Sequence, residues 1–324
     1  MPENKRPGPR VLLTGGKGFV GGRLTHKLGQ THPNWIIDAP GGPSDPGGRA
    51  LDVTDSHAVD AWLDTHQPNI IVHLAALSAV TASVRDPRLA WRVNLDGVLN
   101  VVLGMQRTVP DAHLLFISSA EVYGASLNGA GATDESALLQ PVNPYAASKA
   151  AADLLVRQAA WTGLSTTVAR PFNHTGPGQT EAFVAPSFAG QIARIEAGQA
   201  PPVIMVGSLD DERDFLDVDD VVSAYVAMIE ARATCGRGDV FNVASGRSIR
   251  IGDILEHLLS LAKVSIDVEV DPSRLRAASI PRVLGDAGKL RNELGWKPVT
   301  ALQQSLAAIL EERRRAVAMP PTVG

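Results

Sequence analysis

The chain has a single cysteine, Cys235, which excludes an internal disulfide and a thiolate metal cluster. Its eight histidines, His174 among them, stand at no spacing that suits a metal ion, so no metal is expected. No apolar run approaches the roughly 18 residues that a membrane span needs. Met1–Arg10 carries prolines and charges without an apolar core, so a signal peptide is not expected either. Positive charge is not in excess. A formal net charge of −4 gives no broad basic field, which sets nucleic acid aside and leaves any anionic ligand to local arginines and helix ends. Internal repeats are absent, and the one biased segment is the Gly/Pro-rich loop Ala39–Gly48. What is present is an ordinary globular balance, 44% apolar and 20% charged over 324 residues. That length holds one large or two modest domains, and a cytoplasmic protein is the expectation.

Short apolar strands alternate with helical stretches through the first half, the pattern of a parallel sheet covered on both faces. Strands are expected at Arg10–Thr14, Trp35–Asp38, Asn69–Ala76, His113–Ser118, Leu164–Val168 and Val240–Val243, with helices at Arg23–Gly29, 56–66 and Asp86–Gly104. The first strand runs into Gly15-Gly16-Lys17-Gly18-Phe19-Val20-Gly21-Gly22. There Gly15, Gly18 and Gly21 recur every three residues, and Gly16, Gly18 and Gly21 also fit G-x-G-x-x-G. Between a strand and a helix, such glycines allow a tight turn and close approach of the backbone to a pyrophosphate, which the helix N-terminus then faces. Asp38 lies about 20 residues further on, where an acid accepts hydrogen bonds from an adenosine ribose. An acid there repels a 2′-phosphate and no arginine follows directly, so NAD is favoured over NADP. Asp52 is a candidate contact to adenine. Leu74, Ala75 and Ala76 end an apolar strand in small side chains that let a cofactor approach the sheet. His73, inside that strand, reads as a satisfied core histidine, and Asn94 as a mid-helix residue facing solvent. The acidic run Asp211–Asp220 reads as a solvated face.

The most informative stretch is Asn143-Pro144-Tyr145-Ala146-Ala147-Ser148-Lys149. Asn143 is a good N-cap and Pro144 a good first helical residue, so a helix is expected to start here with Tyr145 and Lys149 one turn apart on one face. A free tyrosine, with a pKa near 10, is a poor acid at neutral pH. An ammonium one turn away is expected to lower that value by stabilising the phenolate. The pair can then exchange a proton with an alcohol or ketone. Ser119, where the fourth strand leaves the sheet, is placed to hydrogen-bond a substrate oxygen.

Taken together the chain resembles the extended branch of the short-chain dehydrogenase/reductase superfamily along essentially its whole length. The matching residues are Thr14–Gly21, Leu74-Ala75-Ala76, Asn94, Ser119, Tyr145-Ala146-Ala147-Ser148-Lys149 and Pro171-Phe172-Asn173. Within that branch Ala169–Gln179, Val206–Leu209, Arg213–Val218 and Gly295-Trp296-Lys297-Pro298 look most like GDP-4-keto-6-deoxy-mannose reductases, which make GDP-D-rhamnose. The resemblance implies a Rossmann-type doubly wound parallel sheet, strand order 3-2-1-4-5-6, with a smaller C-terminal substrate-binding region. Residues 1–172 would form the dinucleotide-binding domain, with 212–245 returning to it, and 173–211 and 246–324 the substrate-binding region. It implies that NAD or NADP lies against Gly15, Gly18, Phe19, Val20, Asp38, Asp52, Val53, Leu74, Ala75, Ala76, Asn94, Tyr145, Lys149 and Phe172. Ser119 would orient a keto oxygen, Tyr145 protonate it, and Lys149 tune Tyr145 and hold the nicotinamide ribose. Asn173, Arg213 and Arg276 would contact a GDP-linked sugar. A homodimer through helices near 87–105 and 144–161 is also implied. A sugar-nucleotide 4,6-dehydratase stays open, because Glu121 stands where GDP-mannose dehydratases carry a catalytic glutamate. Ala120 replaces the aspartate of the dTDP-glucose dehydratases. A 4-epimerase and a non-catalytic cofactor-binding protein are the remaining alternatives.

Overall fold

The computed structural model describes residues 8–43, 45, 47, 49–129, 131–275 and 280–318. Its strands are β1 (Arg10–Thr14), β2 (Ile36–Asp38), β3 (Ile70–His73), β4 (His113–Ile117), β5 (Ser165–Pro171), β6 (Asn173–Thr175), β7 (Val203–Val206), β8 (Glu212–Asp217), β9 (Arg237–Val243), β10 (Ser248–Arg250) and β11 (Asp267–Val270). Six of them make an all-parallel sheet in the order β2-β1-β3-β4-β5-β9. β3 and β4 are buried at every position, as continuous apolar runs in a sheet covered on both faces must be. One apolar cluster joins the sheet to the helices Phe19–Thr31 and Val218–Glu230. A second packs the opposite face under the helices Ser56–His66, Gly97–Thr108 and Pro144–Trp161. A third cluster stands apart, between the helices Val184–Glu196, Ile251–Ser260 and Leu302–Ala318 and strand β7. Two small sheets, β10-β8-β6 and β11-β7, complete the fold.

The order differs from expectation at one edge. Among the described residues no strand fills the position outside β2. The described residues of the Gly/Pro-rich loop after β2 form a bridge within the loop itself, between Gly41 and Ala50. The residues that follow are committed to turns: Asp52 takes the Thr54 amide at 2.9 Å, and Asp55 caps the next helix through the His57 and Ala58 amides. The sheet instead grows at the far edge, where β9 adds beside β5.

Three local expectations are also corrected. The glycine turn passes into helix at Phe19, a turn earlier than Arg23. The helix expected over 86–104 is present from Pro87 to Thr108 but not regular: it widens into a π turn at Arg92–Asp96, with Asp86 and Pro87 supplying the start signal. Nor is the acidic run a solvated face. Asp214, Asp217 and Asp220 are all buried, and each is satisfied by groups distant in sequence. Asp214 accepts from Ser245, Gly246 and Gly285, Asp217 from Ser305, and Asp220 from the Val299 and Thr300 amides. These carboxylates fasten the C-terminal segments onto β8 and the helix that follows it.

Because the chain turns back at β1, with β2 on one side and β3 on the other, a crevice opens beyond the carboxyl ends of β1 and β3.

Candidate functional site

A cavity of about 750 Å³ occupies that crevice. At its floor is the glycine turn. Gly15 sits at φ +70°, and a Cβ built on it would come within 2.8 Å of the Ala75 nitrogen; one on Gly21 would lie 2.3 Å from the Gly15 carbonyl oxygen. Side chains are therefore excluded where the wall must stay flat. The helix that opens at Phe19 has Gly18 as its N-cap and no side-chain cap, and Gly18, Phe19, Val20 and Gly21 all face the cavity. A bare helix start behind a glycine cradle suits a pyrophosphate, and the residues fit a dinucleotide. Asp52, Val53, Leu74, Ala75 and Ala76 continue the same wall, and Phe172 and Asn173 close it from β5 and β6.

Ser119, Glu121, Tyr145 and Lys149 line the opposite end. The helix Pro144–Trp161 starts as the sequence predicts, with the Asn143 side chain accepting from the Ala146 amide at 2.8 Å. The same side chain donates to Glu121 Oε2 at 3.2 Å, so one amide fixes both the helix start and the carboxylate. Ser119 is an N-cap too, accepting from the Glu121 amide. Below the reactive turn the helix is bolted to the sheet. Asp153 takes a two-pronged bond from Arg170 on β5, at 2.9 and 2.8 Å. Arg170 in turn donates to the Tyr123 hydroxyl, which donates to Asn242.

The electrostatics reverse one expectation. The Tyr145 phenol is not acidified; burial pushes it up to about 12, opposed by a hydrogen bond from Ser119 and reinforced by the charge of Glu121. Burial likewise lowers Lys149 to about 7, with Asp153 pulling it back up. Lys149 Nζ donates to the Ile117 carbonyl at 2.5 Å and lies 4.6 Å from the centre of the Phe116 ring. Burial is the largest cause of both shifts, so the phenol stays protonated at neutral pH.

Several expected site residues lie off the cavity wall. Asn94 is fully buried rather than solvated. It accepts from the Leu77 amide at 2.8 Å and donates to Ser148 at 3.0 Å, tying the loop after β3 to the helix of Tyr145. Asp38 faces a separate hollow of about 230 Å³, with its carboxylate held by Trp62 and Arg49. Arg213 pairs with Asp211 and donates to the Glu212 carbonyl. Arg276 lies outside the described residues. His73 is buried and only half satisfied: Nδ1 pairs with Thr14 at 3.0 Å, Nε2 has no partner, and burial lowers its pKa to about 3.

The sequence reading passed over other parts of the wall. His174, whose ring lies parallel to Phe19 at 6.4 Å, lines the cavity together with Gln179, Thr81, Arg92 and Ser118. The signal for His174 and Gln179 was the motif they share with Asn173. Thr81 and Arg92 carried none: Thr81 lies in the short helix Val80–Arg85 and Arg92 opens the π turn.

A doubly wound sheet, a glycine cradle and a Ser119–Tyr145–Lys149 cluster at one cavity define an NAD(P)-dependent oxidoreductase of the extended short-chain dehydrogenase/reductase class. The chain belongs to the GDP-mannose 4,6-dehydratase family, whose model matches residues 49–309. It is 37% identical over 306 residues to a GDP-6-deoxy-D-mannose reductase of Pseudomonas aeruginosa, covering 94% of this chain and 96% of that protein. Among solved structures it is similar to RMD from Pseudomonas aeruginosa complexed with NADPH, with a TM-score of 0.84 at 35% identity over 95% of this chain and 100% of that one. A Thermus thermophilus UDP-glucose 4-epimerase in complex with NAD matches with a TM-score of 0.81 at 26% identity, over 95% of this chain and 99% of that one. No helix among the described residues is long and apolar enough to cross a membrane.

Proposed function

We propose that this protein reduces the 4-keto group of a nucleotide-linked 6-deoxy sugar, with GDP-4-keto-6-deoxy-D-mannose as substrate and GDP-D-rhamnose as product. The observation that carries the reading is a buried Tyr145 that lines, together with Ser119 and Lys149, one end of a cavity floored by a glycine cradle. The relationship to the Pseudomonas reductase supports the choice of sugar.

The nicotinamide, when bound, supplies the hydride. The chain's own residues do the rest. The Ser119 hydroxyl and the Tyr145 phenol hold the keto oxygen between them, and Tyr145 passes its proton to that oxygen as negative charge develops. Lys149, one turn further along the helix, stabilises the resulting phenolate when it carries its proton. Phe172 and Asn173 bound the pocket on the substrate side, and Arg213 and Arg276 serve the diphosphate of the GDP-linked sugar. The region with its own apolar cluster, residues 173–211 and 246–324, acts as the substrate-binding part, with 212–245 returning to the dinucleotide-binding part built on 1–172. A reductase drawing on recycled nicotinamide cofactor and a sugar nucleotide works in the cytoplasm.

A panel of keto-deoxy-sugar nucleotides, each assayed by cofactor absorbance with NADH and with NADPH, tests the assignment. Turnover is expected with the GDP-linked 4-keto-6-deoxy sugar. A second reading, the 4,6-dehydratase, is favoured by Glu121, whose carboxylate lines the cavity close enough to raise the Tyr145 pKa. Incubation with GDP-mannose and no added reductant separates the two. A 4-keto product there would replace the reductase with the dehydratase.

A further inference from the structure

We propose that the loop 174–179 braces the glycine cradle, and that Arg23, Glu312 and Arg313, which grip this loop from outside the cavity, are positioning residues for the nicotinamide dinucleotide. The proposal rests on the dinucleotide reading of the cavity given above.

After β6 the chain runs through Gly176-Pro177-Gly178-Gln179, which belongs to no strand or helix, with Gly178 at φ +91°. A segment with two glycines is easily deformed. Its inner face is nevertheless defined. The Gln179 side chain turns back on the loop, accepting from the Thr175 hydroxyl at 2.8 Å and donating to the His174 carbonyl at 3.0 Å. The His174 ring lies parallel to that of Phe19, the first residue of the cradle's helix, and both rings line the cavity. A Cβ built on Gly178 would stand 3.7 Å from the same Phe19 ring, so the loop backbone closes directly on the cradle.

Three backbone groups in succession are each taken by a charged side chain from elsewhere. Arg23, on the cradle's own helix, donates to the Pro177 carbonyl at 2.6 Å while lying 5.7 Å from the centre of the Phe19 ring. Its other nitrogen is held by Asp219 at 2.8 Å. From the last helix, Leu302–Ala318, Glu312 accepts the Gly178 amide at 2.9 Å and Arg313 donates to the Gln179 carbonyl. None of the three side chains lines the cavity. Water would satisfy the same backbone groups in an exposed loop, so what the charged partners add is a fixed position. Arg313 is drawn in until its Nε is buried without a partner, a cost that the contact with the loop offsets. A wall ordered in advance spares the ligand the entropy of ordering it, and that saving appears as affinity. The last helix packs in the third apolar cluster, so the cradle is steadied from the region that lies beyond the sheet.

The test is equilibrium binding of NADPH and, separately, of NADH to the purified full-length chain, by calorimetry or tryptophan quenching, beside steady-state kinetics. Glu312→Ala combined with Arg313→Met is expected to weaken both cofactors about five- to tenfold and by the same factor, because the loop faces the part they share. In turnover the loss should fall on KM for the cofactor and much less on kcat. Glu312→Gln combined with Arg313→Lys restores an acceptor and a donor at the same two places, and is expected to recover most of the affinity. Should the first double variant not fold, Glu312→Ala alone carries the comparison, with an expected loss of about threefold. Folded variants that bind both cofactors as wild type does overturn the proposal. So does a loss confined to kcat, or one that the conservative pair fails to relieve. A wild-type chain that binds neither cofactor is a different result: it removes the dinucleotide reading itself, and the proposal with it.

Discussion

Tyr145 and Lys149 are each driven by burial toward their uncharged forms, one up to about 12 and the other down to about 7. The phenol is therefore a full proton reservoir across the physiological range, and what titrates near neutrality is the lysine. Lys149 carries the positive charge that a forming phenolate needs below about pH 7 and loses it above. In the direction of ketone reduction, kcat/KM is expected to fall as pH rises through about 7, because that ratio reports groups in the free enzyme. The measurement is a pH–rate profile of wild type against Lys149→Met; an inflection near 7 that survives in the variant would assign it to another group. Tyr145→Phe removes the acid while leaving the cofactor walls intact. A loss in turnover of about 10² or more is expected with cofactor affinity nearly unchanged. Near-normal turnover would take Tyr145 out of the mechanism.

The helix Pro144–Trp161 is held at three depths: Asn143 at its start, Ser148 against Asn94, and Asp153 against Arg170. The last is a buried ion pair with both side chains almost fully enclosed. Removing one member leaves a charge without a partner in low dielectric. Asp153→Ala is expected to lower stability by about 3–5 kcal/mol, read as a drop in the denaturant midpoint. A shift no larger than that of an exposed Asp→Ala control would show that the pair contributes nothing. How legible such features were in the sequence depends on where their partners lie. The start of this helix could be read because Asn143 and Pro144 are local signals. The burial of Asn94 and of Asp214, Asp217 and Asp220 could not. Their partners, from Ser148 to Ser305, stand 54 to 88 positions away in the cases of Asn94 and of Asp217 with Ser305, and local pattern carries no trace of them. The direction of the Tyr145 shift was misjudged for a related reason: helical spacing gives proximity, while depth of burial is a property of the folded molecule.

At the scale of the whole molecule, the parallel sheet and the glycine turn were plain from strand–helix alternation. The lack of an outer strand among the described residues was not, since a strand and an extended turn differ only in where their backbone amides go. Exposed apolar side chains on the outer helices point to one further level of organisation. Trp161 is 92% exposed and Leu154 55%, on the same helix that carries Tyr145, and Val84, Trp91 and Leu103 are exposed on the neighbouring helical segments. Surfaces of that kind usually meet a partner. A homodimer through these helices is the expected assembly, and light scattering is the measurement. Leu154→Glu together with Trp161→Glu should shift the protein to a monomer; a wild-type chain that is already monomeric at micromolar concentration would dismiss the arrangement. The loop between β2 and Asp52 is tied differently: among its described residues the bridge from Gly41 to Ala50 closes the loop on itself and not on the sheet. Residues in that segment are thus free to change without unzipping any strand, so a lineage carrying this architecture can trade one electron carrier for the other by altering a peripheral stretch while its reaction centre stays untouched.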